Sequence, residues 1–402
     1  MNILILTDAL TAPLYIPRIR FLNSQLLTAG HHVTWYAERS PNDIPDDLRP
    51  ANLIEIPYYH SFADRILKAP LILFYDHKNR FFEHNIRPSE KPDIIFVSTF
   101  LTFGLRAGLA LSRRYSCPLH IDLRDIAEQT PLNSYSRSRL STSRIYRAIH
   151  IRRRNAVLRC ATTVTTVSRF QQQLIAGINP NTHLIYNGYD AELFRPTEKP
   201  EPSPLSIVYT GRWYGSSMQD PSPLFAALGR ADFAYTLTFY TGKEVHEEIG
   251  RVASRYAINL VLRDYIPNSE IPEVLGKAHV ALVLTSPSNR GILTTKFFEA
   301  LGTRTPVLCT PSDCGELASL VRTTDAGLAS SDPDEILAWL RHPKPSNSNQ
   351  QSLTFYSRQY QTQRLIRLIC NDNDNRRRSG GNGDDNDTLR YDNKNDNKND
   401  NE

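Results

Sequence analysis

"VALVLTSPSNRGILTTKFFEALGTRTPVLCT", residues 280–310, is the stretch on which the fold turns. It begins with a short apolar run, "VALVLT", of the kind that lies buried in a sheet. The loop "SPSNRGI" follows. "LTTKFFEALG" (293–302) has helical spacing and closes on Ala-Leu-Gly, after which the chain enters a second apolar strand at Val307–Cys309. Strand, helix and strand within about thirty residues make a parallel crossover unit.

The same alternation extends in both directions. "NILILT" at the N-terminus reads as a strand, Arg18–Ala29 as a helix closed by Gly30, "HVTWYA" as the next strand and "LIEIPY" as another. "PDIIFVST" is a strand opened by Pro92, with a helix following over 101–115. Then come "PLHIDLRD", an arginine-rich helix near 140–159, and the strands "ATTVTTVS" and "HLIYNGYD". Residues 194–206, "FRPTEKPEPSPLS", are rich in proline and charge and read as a linker. Beyond it "SIVYTG", "YTLTFYT" and "INLVLR" add strands to the pair already quoted. Helices are expected near 223–229, 244–255, 269–277, 294–302, 315–321, 333–341 and 351–369. The expected fold is α/β: doubly wound Rossmann-like domains over 1–193 and 207–345, their sheets' carboxyl ends facing an interdomain cleft. Residues 371–402 are low in complexity and expected to be disordered. The Asp-x-Asp triplets there follow from composition.

Composition narrows the function. The 402 residues are 40% hydrophobic, as in a soluble globular protein, and the formal net charge is +5. The last 32 residues hold nine acidic against six basic side chains, so the positive charge sits in the body. A mildly basic body suits a nucleotide or a phospholipid surface. It is too mild for nucleic acid, and no nucleic-acid-binding motif is present. Five scattered cysteines without a CxxC pair argue against zinc and for reduced thiols. "MNILILTDAL" has no basic, apolar leader pattern, and no stretch reaches the length of a spanning helix. The protein is expected in the cytoplasm, with a peripheral membrane position open.

Lys296 and Glu299 stand one turn apart, a spacing that usually means a solvated ion pair. Their helix, however, starts at the carboxyl end of a parallel strand. Its free N–H groups would point into the cleft, where they favour an anion. Gly291 lets backbone approach a ligand. A diphosphate would meet the helix end and Lys296, and Glu299 could accept hydrogen bonds from ribose hydroxyls.

"LLTAGHHVTWYA", "IYNGYD" (185–190), "IVYTGRW" (207–213), "RGILTTKFFEALGTRTPVLCTPSD" and "FYSRQYQTQRLIRLI", taken together with their order and spacing, resemble the retaining GT-B glycosyltransferases of family 4, also called group 1. The resemblance covers most of residues 1–370. It implies a GT-B fold, with residues 346–370 returning to the N-terminal domain. It also implies transfer of a sugar from a UDP or GDP donor to an acceptor hydroxyl with retention. Lys296, Glu299 and Pro306 fall in the matching places. The donor set it implies is Gly211, Arg212, Gly291, Ile292, Leu293, Thr295, Lys296 and Glu299, with no metal or other cofactor.

The chain departs from the pattern in three places. Many members carry a sugar-contacting glutamate eight positions before the second; here that position is Gly291. Many carry a lysine where Ser217 stands, which leaves Arg212 and Lys296 to meet the phosphates. The glycine-rich loop after the first strand is replaced by "TDALTAPLYIPRIR". A subset with "DLRD" shows similar departures.

On the other domain, "HIDLRD" (120–125) places Asp122, Arg124 and Asp125 at a strand's carboxyl end. They either pair with one another or act on the acceptor, a carboxylate taking the hydroxyl proton and the arginine binding a phosphate. Residues 62–82 and the arginine-rich 137–159 suggest an anionic membrane surface. With them, the resemblance implies a glycan or lipid-linked acceptor in surface polysaccharide or glycolipid assembly. The alternatives are a nucleotide-sugar 2-epimerase of the same fold and a non-catalytic GT-B binding protein.

Overall fold

A computed structural model describes residues 1–8, 16–38, 51–55, 75–99, 101–130, 140–197, 199, 201, 204–216, 218–285, 291–344 and 346–379. Two parallel sheets organise them. The first contains β1 (Asn2–Thr7), β2 (His32–Glu38), β3 (Ala51–Ile54), β4 (Ile94–Thr99), β5 (Leu119–Leu123), β6 (Thr163–Thr166) and β7 (Thr182–Leu184) in the order β3-β2-β1-β4-β5-β6-β7. The second contains β8 (Leu205–Thr210), β9 (Tyr235–Tyr240), β10 (Leu260–Arg263), β11 (Val280–Leu284), β12 (Val307–Thr310) and β13 (Gly327–Ala329) in the order β10-β9-β8-β11-β12-β13. Each reverses its winding once, between β1 and β4 and between β8 and β11. Such switch points open a crevice at the carboxyl ends of the strands.

Burial follows the apolar runs. Every residue of β4 and β11 is buried, because helices cover both faces of each sheet. The helices around the first sheet are α1 (Ile16–Thr28), α2 (His77–Asn85), α3 (Leu105–Tyr115), α4 (Leu140–Leu158) and α5 (Arg169–Ala176). Those around the second are α6 (Ser222–Leu228), α7 (His246–Ala253), α8 (Ile271–Lys277), α9 (Thr295–Gly302), α10 (Glu316–Thr323) and α11 (Pro333–Arg341). Strand β3 ends earlier than "LIEIPY" implied, and α2, α5 and β13 were not anticipated.

The closing segment differs from the single helix expected over 351–369. It is two helices, α12 (Gln350–Phe355) and α13 (Arg358–Ser379), broken where Ser357 bridges to Tyr189. Tyr189 N–H donates to Tyr356 O at 3.1 Å and Arg358 N–H donates to Tyr189 O at 2.7 Å. Helical hydrogen bonding cannot continue through a backbone already spent on another segment. Gly188, at φ +62°, permits the approach: a Cβ there would stand 2.7 Å from Tyr356 O. The two strands of chain joining the domains are thus tied to each other. Helix α13 then packs on α1, and its Leu365 and Ile369 enter the core of Ile3, Ile5, Ile19, Leu22 and Leu26. Burying each such side chain stabilises by roughly 1.5–3 kcal/mol. The helix continues past Cys370 to Ser379, into the stretch expected to be disordered. Residues 380–402 lie outside the described residues.

Candidate active site

Helix α9 is held by Phe297, Phe298, Ala300 and Leu301, all buried against the second sheet. That leaves Lys296 and Glu299 on its other face. Thr294 caps the helix with extended backbone, its hydroxyl accepting from Lys296 N–H at 3.4 Å. The Lys296 ammonium reaches back over β8 and lies 5.1 Å from the Tyr209 ring centroid. Gly211, at φ +106°, makes room for it: a Cβ there would meet Lys296 Cε at 3.0 Å and Nζ at 3.3 Å. The strand-end turn after β8 and the start of α9 are therefore in contact beside the β8–β11 switch point.

Lys296 and Glu299 keep some solvent contact yet are surrounded by protein, as groups on a cleft floor are. Burial lowers the Lys296 ammonium below the ordinary lysine value, with Glu299 opposing. Burial raises the Glu299 carboxyl, against the pull of Arg358 and Lys296 and a hydrogen bond from Thr295. Among the described residues Lys296 Nζ makes no hydrogen bond or ion pair. Arg212 is exposed, its guanidinium 5.2 Å from the Tyr214 ring centroid, while its carbonyl accepts from Tyr209 OH at 2.6 Å. Ser217 lies outside the described residues.

The three DLRD residues have separate fates. Asp122, 1% exposed, accepts from Arg18 through both guanidinium arms, Nη2 at 2.8 Å and Nε at 3.1 Å. Ser98 and Thr165 hydroxyls donate to it at 3.0 and 2.8 Å. Burial raises this carboxyl, but Arg18, then the Thr165 hydroxyl and Arg124, pull it below the usual carboxylate value. Its lone pairs are occupied, which argues against a catalytic role. Arg18 also donates to Ile185 O and Tyr186 O, so the pair ties α1 to β5 and to the crossing chain. Arg124 is buried and ion-paired with Asp8, so it is not an open phosphate site. Asp125 is different. Among the described residues it accepts no hydrogen bond, and it lies near enough to Tyr214 of the other domain to add slightly to the rise that burial gives that phenol. Burial pushes its carboxyl up to about 7 against Arg124, with Asp8 adding to the rise.

The remaining expected donor residues divide as well. Leu293 belongs to the core of the second domain, so its side chain is not presented to a ligand. Ile292 and Thr295 are half-buried next to α9. Gly291, at φ +75°, touches the first domain: a Cβ would lie 2.4 Å from Phe170 Cβ and 2.5 Å from its Cγ. The space of the missing glutamate's stem is filled by Phe170. Beside this contact an interdomain cavity of about 660 Å³ is lined by Arg169, Gln173, Tyr186, Glu316, Ser319 and Tyr356, among others. Phe170 and Glu316 carried no sequence signal, because their partners are more than a hundred positions away.

Of the two basic segments, 62–74 and 137–139 lie outside the described residues. On α4, Arg144, Arg152 and Arg159 at its end are exposed, whereas Arg154 is buried on Glu128 through contacts of 2.7 and 2.8 Å. Among the described residues no group of three or more His, Cys, Asp and Glu could hold a metal ion, and no helix is long and apolar enough to cross a membrane.

With two switch-point sheets facing one cleft, the architecture can be compared with known proteins. Residues 19–193 match the family described as Glycosyltransferase Family 4. The match runs from α1 to beyond β7 of the first sheet, and the fold of the whole is GT-B. Solved GT-B structures align along nearly all of the chain. Sucrose-phosphate synthase from Thermosynechococcus elongatus is 16% identical, with a TM-score of 0.66 over 92% of this chain and 99% of that one. Anabaena HepE in complex with UDP and glucose is 14% identical, with a TM-score of 0.62 over 92% and 100%. A protein from Listeria monocytogenes described as a putative UDP-N-acetylglucosamine 2-epimerase is 13% identical, with a TM-score of 0.56 over 93% and 98%. At these identities the likeness shows the fold. No curated protein matches the chain in sequence.

Proposed function

We propose that this protein is a glycosyltransferase that takes a sugar from a nucleoside-diphosphate donor on its C-terminal domain. It passes the sugar to an acceptor hydroxyl on its N-terminal domain, with retention and without a metal. The observation that carries this reading is Lys296: an enclosed ammonium that makes no hydrogen bond or ion pair among the described residues, with Glu299 acting on it only from farther off, beside a glycine turn and a helix start. Such a cation is costly unless an anion arrives. As the sugar–oxygen bond breaks, negative charge grows on the departing diphosphate. Lys296 and the α9 amides meet it, and Arg212 adds charge once it swings off Tyr214. Glu299, one turn deeper, accepts from ribose hydroxyls. Across the cleft the Asp125 carboxyl, poised near neutrality, accepts the proton of the acceptor hydroxyl. HepE, with UDP and glucose, gives the same fold a donor of this class.

The test is titration with UDP, GDP and their sugars. Wild type binds one of them, and Lys296→Ala, still folded, loses that affinity; equal affinity in both would remove Lys296 from the donor site. The epimerase-like neighbour makes a second reading concrete. An epimerase converts donor with no acceptor present, so sugar analysis after incubation with donor alone separates the two. For the acceptor, we favour a glycan or lipid-linked molecule at an anionic membrane surface, supported by the arginines of α4. Absence of binding to phosphatidylglycerol vesicles at low salt would dismiss the membrane half.

A further inference from the structure

We propose that Glu316 is a positioning residue: it fastens α5 of the N-terminal domain to the C-terminal domain and so sets the register of Asp125 against the Lys296 seat. The proposal rests on the functional reading for what is positioned, but the fastening stands on hydrogen-bond accounting. A glutamate in the first turn of a helix ordinarily serves its own helix's free N–H groups. On α10 that work is done by Asp313, which accepts from Gly315 N at 3.1 Å, Leu317 N at 3.2 Å and Ala318 N at 2.9 Å. The Glu316 side chain is released to reach across the cleft. There α5 has the complementary deficit. Its N-cap Ser168 takes Gln171 N–H at 3.3 Å, which leaves the first two helical N–H groups open. Glu316 accepts both, Arg169 N–H on Oε1 at 2.8 Å and Phe170 N–H on Oε2 at 3.2 Å.

A third donor fixes the carboxylate in place. Tyr186, on the chain crossing between the domains, donates from its hydroxyl to Glu316 Oε1 at 3.2 Å. The same helix end presses Phe170 onto Gly291. One carboxylate thus joins α10, α5 and the crossing chain, while the ring beside it rests on the loop that leads to Lys296. Charge-assisted bonds to backbone N–H groups are directional, so they fix an angle between domains as well as a distance.

The experiment compares wild type with Glu316→Ala and Glu316→Gln by amide hydrogen exchange, small-angle scattering and kinetics. In Glu316→Ala the Arg169 and Phe170 amides exchange at least tenfold faster and the radius of gyration rises. kcat falls at least tenfold while UDP affinity stays within twofold. Glu316→Gln, which keeps an acceptor oxygen and the side-chain shape, recovers part of each, and stands alone should the alanine variant not fold. Unchanged exchange at the two amides overturns the proposal. So does a loss of UDP affinity in step with kcat, which would place Glu316 in the donor seat instead. If wild type turns over no donor, the functional reading fails, while exchange and scattering still decide the fastening.

Discussion

Asp122, at the end of β5, and Lys296, at the start of α9, are both enclosed charges, and they differ in whether the charge is already matched. Asp122 has a guanidinium on both oxygens and two hydroxyls besides. Lys296 has an aromatic face and a glycine turn. A matched buried charge holds a fold together, and removing one partner strands the other. An unmatched one is held ready by the fold for something that arrives. The N-terminal face spends most of its charges internally and keeps Asp125 in reserve; the C-terminal face keeps its cation in reserve.

The sharpest break in this contrast is Asp125→Asn, which should lower kcat by about 10²–10⁴. In wild type, kcat/KM should rise with pH through about 7 as the Asp125 carboxylate forms, and the variant's profile should lose that rise. The native carboxyl titrates higher than the unfolded one, so between about 4 and 7 this group favours folding less as pH increases. The asparagine variant should lack that decline. Next, Asp122→Ala should destabilise by about 3–5 kcal/mol, because Arg18 is left buried and unmatched. Chemical denaturation measures it, and a neutral result would make Asp122 a reserve group after all. Lys296→Ala should weaken UDP or GDP binding about 10–100-fold, the worth of a hydrogen bond to a charged group, with no loss of stability. Calorimetry of binding and of unfolding on the same sample checks both halves.

Lys199 offers the smallest and most discriminating case. It is a half-buried cation without a carboxylate, yet its three protons go to Leu275 O at 2.9 Å, Gly276 O at 3.0 Å and Thr305 Oγ1 at 2.7 Å. Burial lowers it from 10.5 to about 8. Between those values the unfolded chain holds the proton and the native one releases it, so this group makes stability rise with pH across that window. Lys199→Met should flatten the rise by about 1 kcal/mol, after discounting for solvent screening. Denaturation midpoints at pH 8 and pH 10 read the difference.

Much of this architecture was legible because apolar runs and helical spacing are local properties. The unit over 280–310 makes β11 and β12 neighbours, and the pairing of β11 with β8 on its other side brings Gly211 and Lys296 together. What could not be read depends on distant partners. Nothing near Asp122 announces that Arg18 will occupy it from 104 positions away. "DLRD" therefore looked like one constellation, although its members serve a structural clasp, an ion pair and an open carboxyl. The break between α12 and α13 was hidden for the same reason. "FYSRQY" has ordinary helical composition, and only the bridge to Tyr189 interrupts it.

The seating of α13 on α1 has a consequence for synthesis. Residues 365–369 complete a core begun by Ile3 and Ile5, so the first half of the polypeptide leaves the ribosome with one apolar face uncovered. At about 5–20 residues per second, the intervening chain takes on the order of ten to forty seconds to appear. During that interval α1 needs a chaperone or a temporary partner, and deletions just short of Leu365 should yield aggregates rather than an autonomous N-terminal half.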